Sequence, residues 1–516
     1  MALQQLLSEI KSDEVLRIEV GQQGVSSDHR ELARLIDREP AKAQAALTYD
    51  TDGWDTVYVI PITEANKAIA NQGTSPTNWT AHSDADLFSP EIDAVGTFGT
   101  WSLTNGGSGS IVRMHIPFDV DLTIINGAQV DNVSVGNGTA FVSVKLTYIP
   151  QPQTDDVAPN DLRVRTSGGT ADDPVVIVSS VTFEPSIAGL GPVLIELLTQ
   201  WFNANLQQFE HVFATVNLSN SVAEGDFAWL RPTKTSYAYL DNAEIDKALL
   251  GVLCMTENRS DIGAVQQISA GSIPPGAHAS FNISLERFMS KMLLPVLPHE
   301  FEHAPAGTFG LNGSATKIES DREFSLGAVR VGAIDYHPQV TDFSLRIDAE
   351  EIEMYVRVHT AISPGIDSFV EGTFFYGVKL ATKDDGSQTM TWYETQDPWT
   401  RSYTEIAPWV DAVEIITTII FAVIGAVVGK IVAKTQSAVR KAIIMALVGG
   451  IAAAVSEVMF NSPEWVADSV PDALPSLNLL IDNATADQQW PDSDEFELTH
   501  LLLNGGLQMG GTPFTA

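Results

Sequence analysis

Cysteine is almost absent from this chain: Cys254 stands alone in 516 residues. No intrachain disulfide can form, so the fold rests on a packed interior and suits a reducing compartment. Cys254 lies in the apolar run 249–255, where a thiol is expected to be buried and inert. Basic residues are also scarce, 29 Lys and Arg against 65 Asp and Glu, for a net charge of −36 and a pI of about 4.4. That balance argues against nucleic acid as a partner, because neutralising phosphates takes clustered Lys and Arg. It also repels anionic membrane surfaces wherever no local basic patch intervenes. The stretch MALQQLLSEIKSDE has neither a basic n-region nor a long apolar h-region. Cytoplasmic synthesis without a signal peptide is therefore expected, with release by lysis or a dedicated exporter left open.

Catalytic patterns are missing as well. No G-x-S-x-G elbow occurs. The NGGSGS run from Asn105 to Ser110 lacks a Walker lysine and reads as a hairpin tip. Asp384-Asp385-Gly386 has too few following carboxylates for a calcium loop and reads as a turn. One pattern has to be weighed: His299-Glu300-Phe301-Glu302-His303 matches H-E-x-x-H. Zinc peptidase chemistry needs both histidines on one face of a stable helix, with the glutamate activating the metal-bound water. Pro295, Pro298 and Pro305 crowd the segment, and an acidic third ligand such as Glu319 has no supporting motif. The expectation is a non-enzyme with no cofactor and no metal, a zinc peptidase through His299, Glu300 and His303 standing as a remote alternative.

What is present is apolar patterning. Apolar residues at 44% and charged residues at 18% describe a globular protein, and the length favours two domains or more. In residues 53–69, GWDTVYVIPITEANKAI, the hydrophobic period changes. Val57 and Val59 alternate with Thr56, Tyr58 and Ile60 as in a strand. After Pro61, Ile62, Ala65 and Ile69 fit one face of a helix, with Thr63 placed to cap it. Residues 112–124 alternate strictly, with Val112, Met114, Ile116, Phe118, Val120, Leu122 and Ile124 on the apolar side. That predicts a strand with one buried face, with Pro117 at an edge or bend. Pro192 opens a helix whose Leu194, Leu197, Leu198, Trp201, Phe202 and Leu206 keep to one face. A second cycle of helix (Leu285, Phe288, Met289, Met292 and Leu293) then strands follows, and the break between the two is expected within residues 259–275.

The 53–69 block resembles the opening motif of the tubular lipid-binding (TULIP) proteins found beside OrfX proteins in clostridial neurotoxin gene clusters, the forty-seven-kilodalton family. Residues 96–118, 229–241 with 249–257, and 496–511 look like further motifs of the same family. The resemblance implies an α+β, TULIP-like fold: highly curved antiparallel sheets, each wrapped around a long apolar helix. The expected modules are residues 1–265 and 266–516. It further implies binding of a lipid or another elongated apolar ligand, and assembly with sister proteins of a toxin gene cluster. Candidate groove residues are Met114, Ile116, Phe118, Leu194, Leu198 and Trp201.

Residues 413–460 form the other unusual feature. Two charge-free runs, 415–429 and 442–456, flank Lys430, Lys434, Arg440 and Lys441. Each run of 15 residues gives about 22 Å of helix against about 30 Å of bilayer hydrocarbon, too short to span. The Gly425/Gly429 pair suits close helix contact, so a C-terminal apolar helical hairpin with a basic turn is expected. It is either buried in the second module or makes peripheral membrane contact, even pore association, through Ile419, Phe421, Ile424, Lys430, Lys434, Arg440 and Lys441.

Overall fold

The computed structural model describes residues 16–19, 49–85, 90–151, 157–166, 174–219, 227–301, 303–410, 418–451, 476–493 and 496–512. Residues 26–36, whose sequence reads as a helix, lie outside them. The architecture is mostly antiparallel sheet with few helices. The chain divides into two compact units that are each discontinuous in sequence. One comprises Tyr49–Ser284, Leu480–His500 and Gln508–Ala516; the other comprises Met1–Thr48, Leu285–Leu479 and Leu501–Leu507. The division at Ser284/Leu285 lies downstream of the 259–275 segment in which the break was expected.

In the Tyr49–Ser284 unit, the Ile111–Asn126 strand pairs antiparallel with Gln129–Pro150 along most of its length. These two long strands centre a nine-stranded sheet. The alternation read from the sequence is realised: Val112, Met114, Ile116, Phe118, Val120 and Leu122 are all buried, though Ile124 is only partly so. Pro117 falls where the neighbouring strand is interrupted between Glu91–Phe98 and Ser102–Leu103. Its carbonyl there accepts from Gly99 N at 2.9 Å, and its missing N–H breaks no regular ladder.

The strand read at residues 56–60 forms as Thr56–Pro61. It lies between Leu249–Thr256 and Ala279–Ser284 in a six-stranded sheet and is buried on both faces. Val57 and Val59 enter a core with Trp54, Leu253 and Met255. Tyr58 on the other face meets Phe281, Trp490 and Phe496 at 5.6–6.0 Å between ring centroids. Tyrosine is apolar enough to fill this second core. The helix Ile62–Gln72 follows at once and buries Ile62, Ala65 and Ile69. Pro61, not Thr63, is its N-cap; Thr63 falls within the first turn, and no side chain caps it.

The other unit carries a second nine-stranded sheet, centred on Gln339–Asp348, Glu351–Ser363 and Ile366–Thr382. Phe288, Met289, Met292 and Leu293 share a buried face as expected, but on a π-helical turn, Phe288–Leu293.

The expected hairpin is not formed. Thr418–Ile451 is one continuous helix of 34 residues, running straight through Lys430, Lys434, Arg440 and Lys441. The physical reason is local. The segment 430–441 holds no proline or glycine, and its Lys, Arg, Ala and Gln are good helix formers, so nothing terminates the helix. Ile424, Val427, Val428, Ile431, Thr435, Val439 and Ala442 recur at helical spacing and are buried, while Ala426, Gly429 and Ala433 are exposed. Residues 413–417 and 452–460 of the proposed hairpin lie outside the described residues.

Candidate functional site

The six groove candidates are all interior: Met114, Ile116, Phe118, Leu194, Leu198 and Trp201 are each no more than 6% exposed. Leu194, Leu198 and Trp201 come from the Leu190–Ala204 helix, which begins after Gly189 in a left-handed conformation (φ 81°). It starts at Leu190, two residues before the Pro192 expected to open it, and buries Leu194, Leu197, Leu198, Trp201 and Phe202 as read from the sequence, with Leu190 added and Leu206 falling on the separate turn Leu206–Gln208.

Aromatic rings join that helix to the sheet. Phe118 meets Trp79 edge-on at 6.4 Å, and Trp79 stacks on Phe98 at 5.7 Å. Phe98 contacts Trp201 at 5.0 Å and stacks on Phe202 at 5.6 Å. Trp101 closes the array against Phe98, Phe202 and Phe209 at 4.7–5.9 Å. Phe118 and Trp201 are thus brought into one cluster, with Phe98 as the ring both routes pass through. Sequence reasoning missed Phe98, Trp79 and Trp101, which stand on short strands and loops without a long periodic pattern. Their aromatic type was the available signal.

A cavity of about 10 Å³ lies beside this array, lined by Ile69, Thr74, Trp101, Met114, His211 and Phe213 among others. That volume is about what one water needs, with no room for an acyl chain. Two of its lining residues carry buried polar atoms with no protein hydrogen-bond partner, His211 Nε2 and Trp101 Nε1. His211 Nδ1 lies 3.2 Å from Thr74 Oγ1. Burial, and then the Arg163 guanidinium, hold the His211 pKa down at about 4. The ring is therefore neutral in the folded chain, while an unfolded histidine titrates near 6.5. The folded value is depressed, so the stabilisation is complete above about pH 6.5 and is lost as pH falls towards 4. The difference amounts to about 3 kcal/mol. Urea unfolding at pH 7 and pH 4.5 should show a His211→Gln variant losing less stability than the parent across that interval. Parallel losses would remove His211 from the acid response.

The single thiol is as inert as its sequence position implied. Cys254 is fully buried and its pKa is pushed up to about 12 by burial. Asp55, within the 53–69 block, is a buried carboxylate held structurally. Its Oδ2 accepts from Thr256 N at 2.8 Å and Thr256 Oγ1 at 2.9 Å, and Arg259 Nε lies 3.3 Å from Oδ1.

Residues 51–511 match the family model for OrfX-like proteins, described as Protein OrfX2/OrfX3/P47. The chain belongs to this family. Protein OrfX3 of Paraclostridium bifermentans is 29% identical to this OrfX-like chain over 500 residues, 89% of this chain and 98% of that protein. Protein OrfX3 of Clostridium botulinum (strain Kyoto / Type A2) is 26% identical over 497 residues, 90% and 98% of the two chains. The structure of P47 from Clostridium botulinum A2 matches with a TM-score of 0.58 at 15% identity, covering 90% of this chain and 98% of that one. P47 of Clostridium botulinum E1 matches with a TM-score of 0.55 at 18% identity, covering 90% and 100%. At such identities these likenesses establish a shared fold.

The H-E-x-x-H segment of the OrfX-like chain does not acquire the frame zinc chemistry needs. The helix Leu297–Glu300 is a single turn that ends before His303. His299 and His303 therefore share no helical face. Phe301, between them, is buried in a cluster with Phe309, Phe324 and Phe343 at 5.1–5.6 Å.

The basic residues of the long helix are engaged locally. Lys430 Nζ donates to the Arg330 carbonyl at 2.8 Å and Lys434 Nζ to that of Ala328 at 3.0 Å. Burial lowers the Lys434 pKa. Ile424 is buried, Arg440 and Lys441 are half-buried, and Ile419 and Phe421 stand in the first turn of the helix. Among the described residues no helix is long and apolar enough to cross a membrane.

Proposed function

We propose that this OrfX-like protein is a non-catalytic assembly component. It works with sister proteins of the toxin gene cluster that the family resemblance implies, and its TULIP-like interior is closed by its own side chains. The observation that carries this reading is the ring array from Phe118 through Phe98 to Trp201 and Phe209. It packs the space between the Leu190–Ala204 helix and the sheet with the chain's own rings. Apolar burial that a cargo would supply is supplied here by the chain, at about 25 cal/mol per Å². Assembly in turn needs apolar surface left for a partner. Trp409, 69% exposed, and Ile262, 93% exposed, are side chains of the kind a partner covers.

Lipid binding remains the second reading, since each buried methylene of an acyl chain contributes about 0.8 kcal/mol and few polar contacts are needed. It requires the Phe98 array to part. Native mass spectrometry of the full chain, purified alone and after co-expression with the proteins encoded beside it, decides between the two. Assembly predicts the bare mass of 55.7 kDa alone and a stoichiometric complex on co-expression. Phospholipid adducts on the chain alone, with no complex formed, would reverse the order of the readings.

A further inference from the structure

One cluster of titratable side chains lies apart from the aromatic interior, on the hairpin made by Asn78–Ser83 and Glu91–Phe98. The register sets His82 opposite Asp93 and Ser83 opposite Ile92. Because side chains alternate along a strand, Glu91 shares a face with Asp93, while Ile92 and Ala94 are buried on the other. His82 Nδ1 lies 2.8 Å from Asp93 Oδ1, and His82 Nε2 lies 3.1 Å from Asp84 Oδ1. One ligand atom each from His82, Glu91 and Asp93 falls within 4.8 Å of the others.

We propose that His82, Glu91 and Asp93 form a divalent transition-metal site, with zinc as its ion and Asp84 as the carboxylate that orients the histidine. Two nitrogen or oxygen ligands of a tetrahedral zinc sit about 3.3 Å apart, given bonds of about 2.0 Å. Modest rotamer adjustment of exposed side chains closes the observed spacing to that value. Imidazole combined with carboxylates favours zinc over calcium or magnesium, which prefer oxygen alone. Asp84 completes the arrangement in which a ligating histidine gives its second N–H to a carboxylate.

Charge supports the assignment. The carboxylates of Asp84 and Asp93 each lie within ion-pairing distance of the His82 ring, and Glu91 adds a third carboxylate on the same face as Asp93. Zinc binds through the Nδ1 lone pair while Nε2–H donates to Asp84 Oδ1.

The test uses the full chain stripped with EDTA and titrated with Zn²⁺ against a chromophoric chelator. One zinc per chain is expected, undisplaced by equal Ca²⁺ or Mg²⁺. His82→Ala and Asp93→Asn should each weaken binding at least 100-fold, and Asp84→Asn 10- to 100-fold. These positions are exposed or partly so, and circular dichroism should show every variant folded. His299→Ala should bind as the parent does. Substoichiometric zinc, retention of zinc by folded His82→Ala, or loss of zinc from His299→Ala instead would each overturn the proposal.

Discussion

Asp55→Ala is expected to lower the stability of the unit that holds it by about 3–5 kcal/mol, the range seen when one partner of a buried charged network is deleted. The carboxylate is nearly inaccessible, and among the described residues it alone accepts from the Thr256 main-chain N–H and hydroxyl. Thr256 is itself fully buried, so alanine leaves an amide and a hydroxyl without partners in a place water does not reach. Arg259 loses an ion pair but is partly exposed and can turn to solvent, so its share is small. The main-chain bonds of Asp55, to Cys254 O and from Ser284 N, survive the substitution. Asp55→Asn keeps one acceptor and should lose roughly half as much. Urea unfolding followed by tryptophan fluorescence measures both; a loss below about 1 kcal/mol for alanine would mean that Thr256 finds another partner.

Phe98→Ala is the second large effect, again about 3–5 kcal/mol. Phe98 touches Trp79, Trp101, Trp201 and Phe202, and its removal takes out the ring through which strand and helix are joined. Each aromatic pair adds about 0.5–1.5 kcal/mol beyond the area it buries. The variant carries a second readout. If the interior of the parent is closed by its own rings, truncation opens an apolar space, and native mass spectrometry should find small apolar adducts on Phe98→Ala alone. Adducts on both proteins would favour the lipid reading; a stability loss under about 1 kcal/mol would show that the neighbouring rings collapse into the gap.

Much of the scaffold was legible because it depends on local period. Strict alternation from Val112 to Leu122 can only be a strand with one oily face, and the spacing of Leu194, Leu198 and Trp201 can only be one stripe of a helix. Both were read with the correct buried sides. The zinc-like motif was equally transparent, because prolines at 295, 298 and 305 left no length for the helix it requires. The family resemblance rode on such segments.

Where period was silent or ambiguous, the sequence misled or said nothing. The charge in the middle of Thr418–Ile451 reads as a turn between two helices, yet charge does not break a helix; only missing donors or φ preferences do. The two-sided burial of Thr56–Pro61 required knowing that Phe281, Trp490 and Phe496 would cover its second face. Asp55 and Thr256 are 201 positions apart, and His82 and Asp93 meet only through one hairpin register.

By itself, then, the sequence determined which residues turn inward along each element, and the charge and thiol chemistry that follow from composition. The tertiary structure alone decided which inward residues meet. The reason is that side-chain period is fixed by neighbours a few residues away, whereas ring contacts, buried carboxylates and ligand clusters depend on pairings that no local window contains.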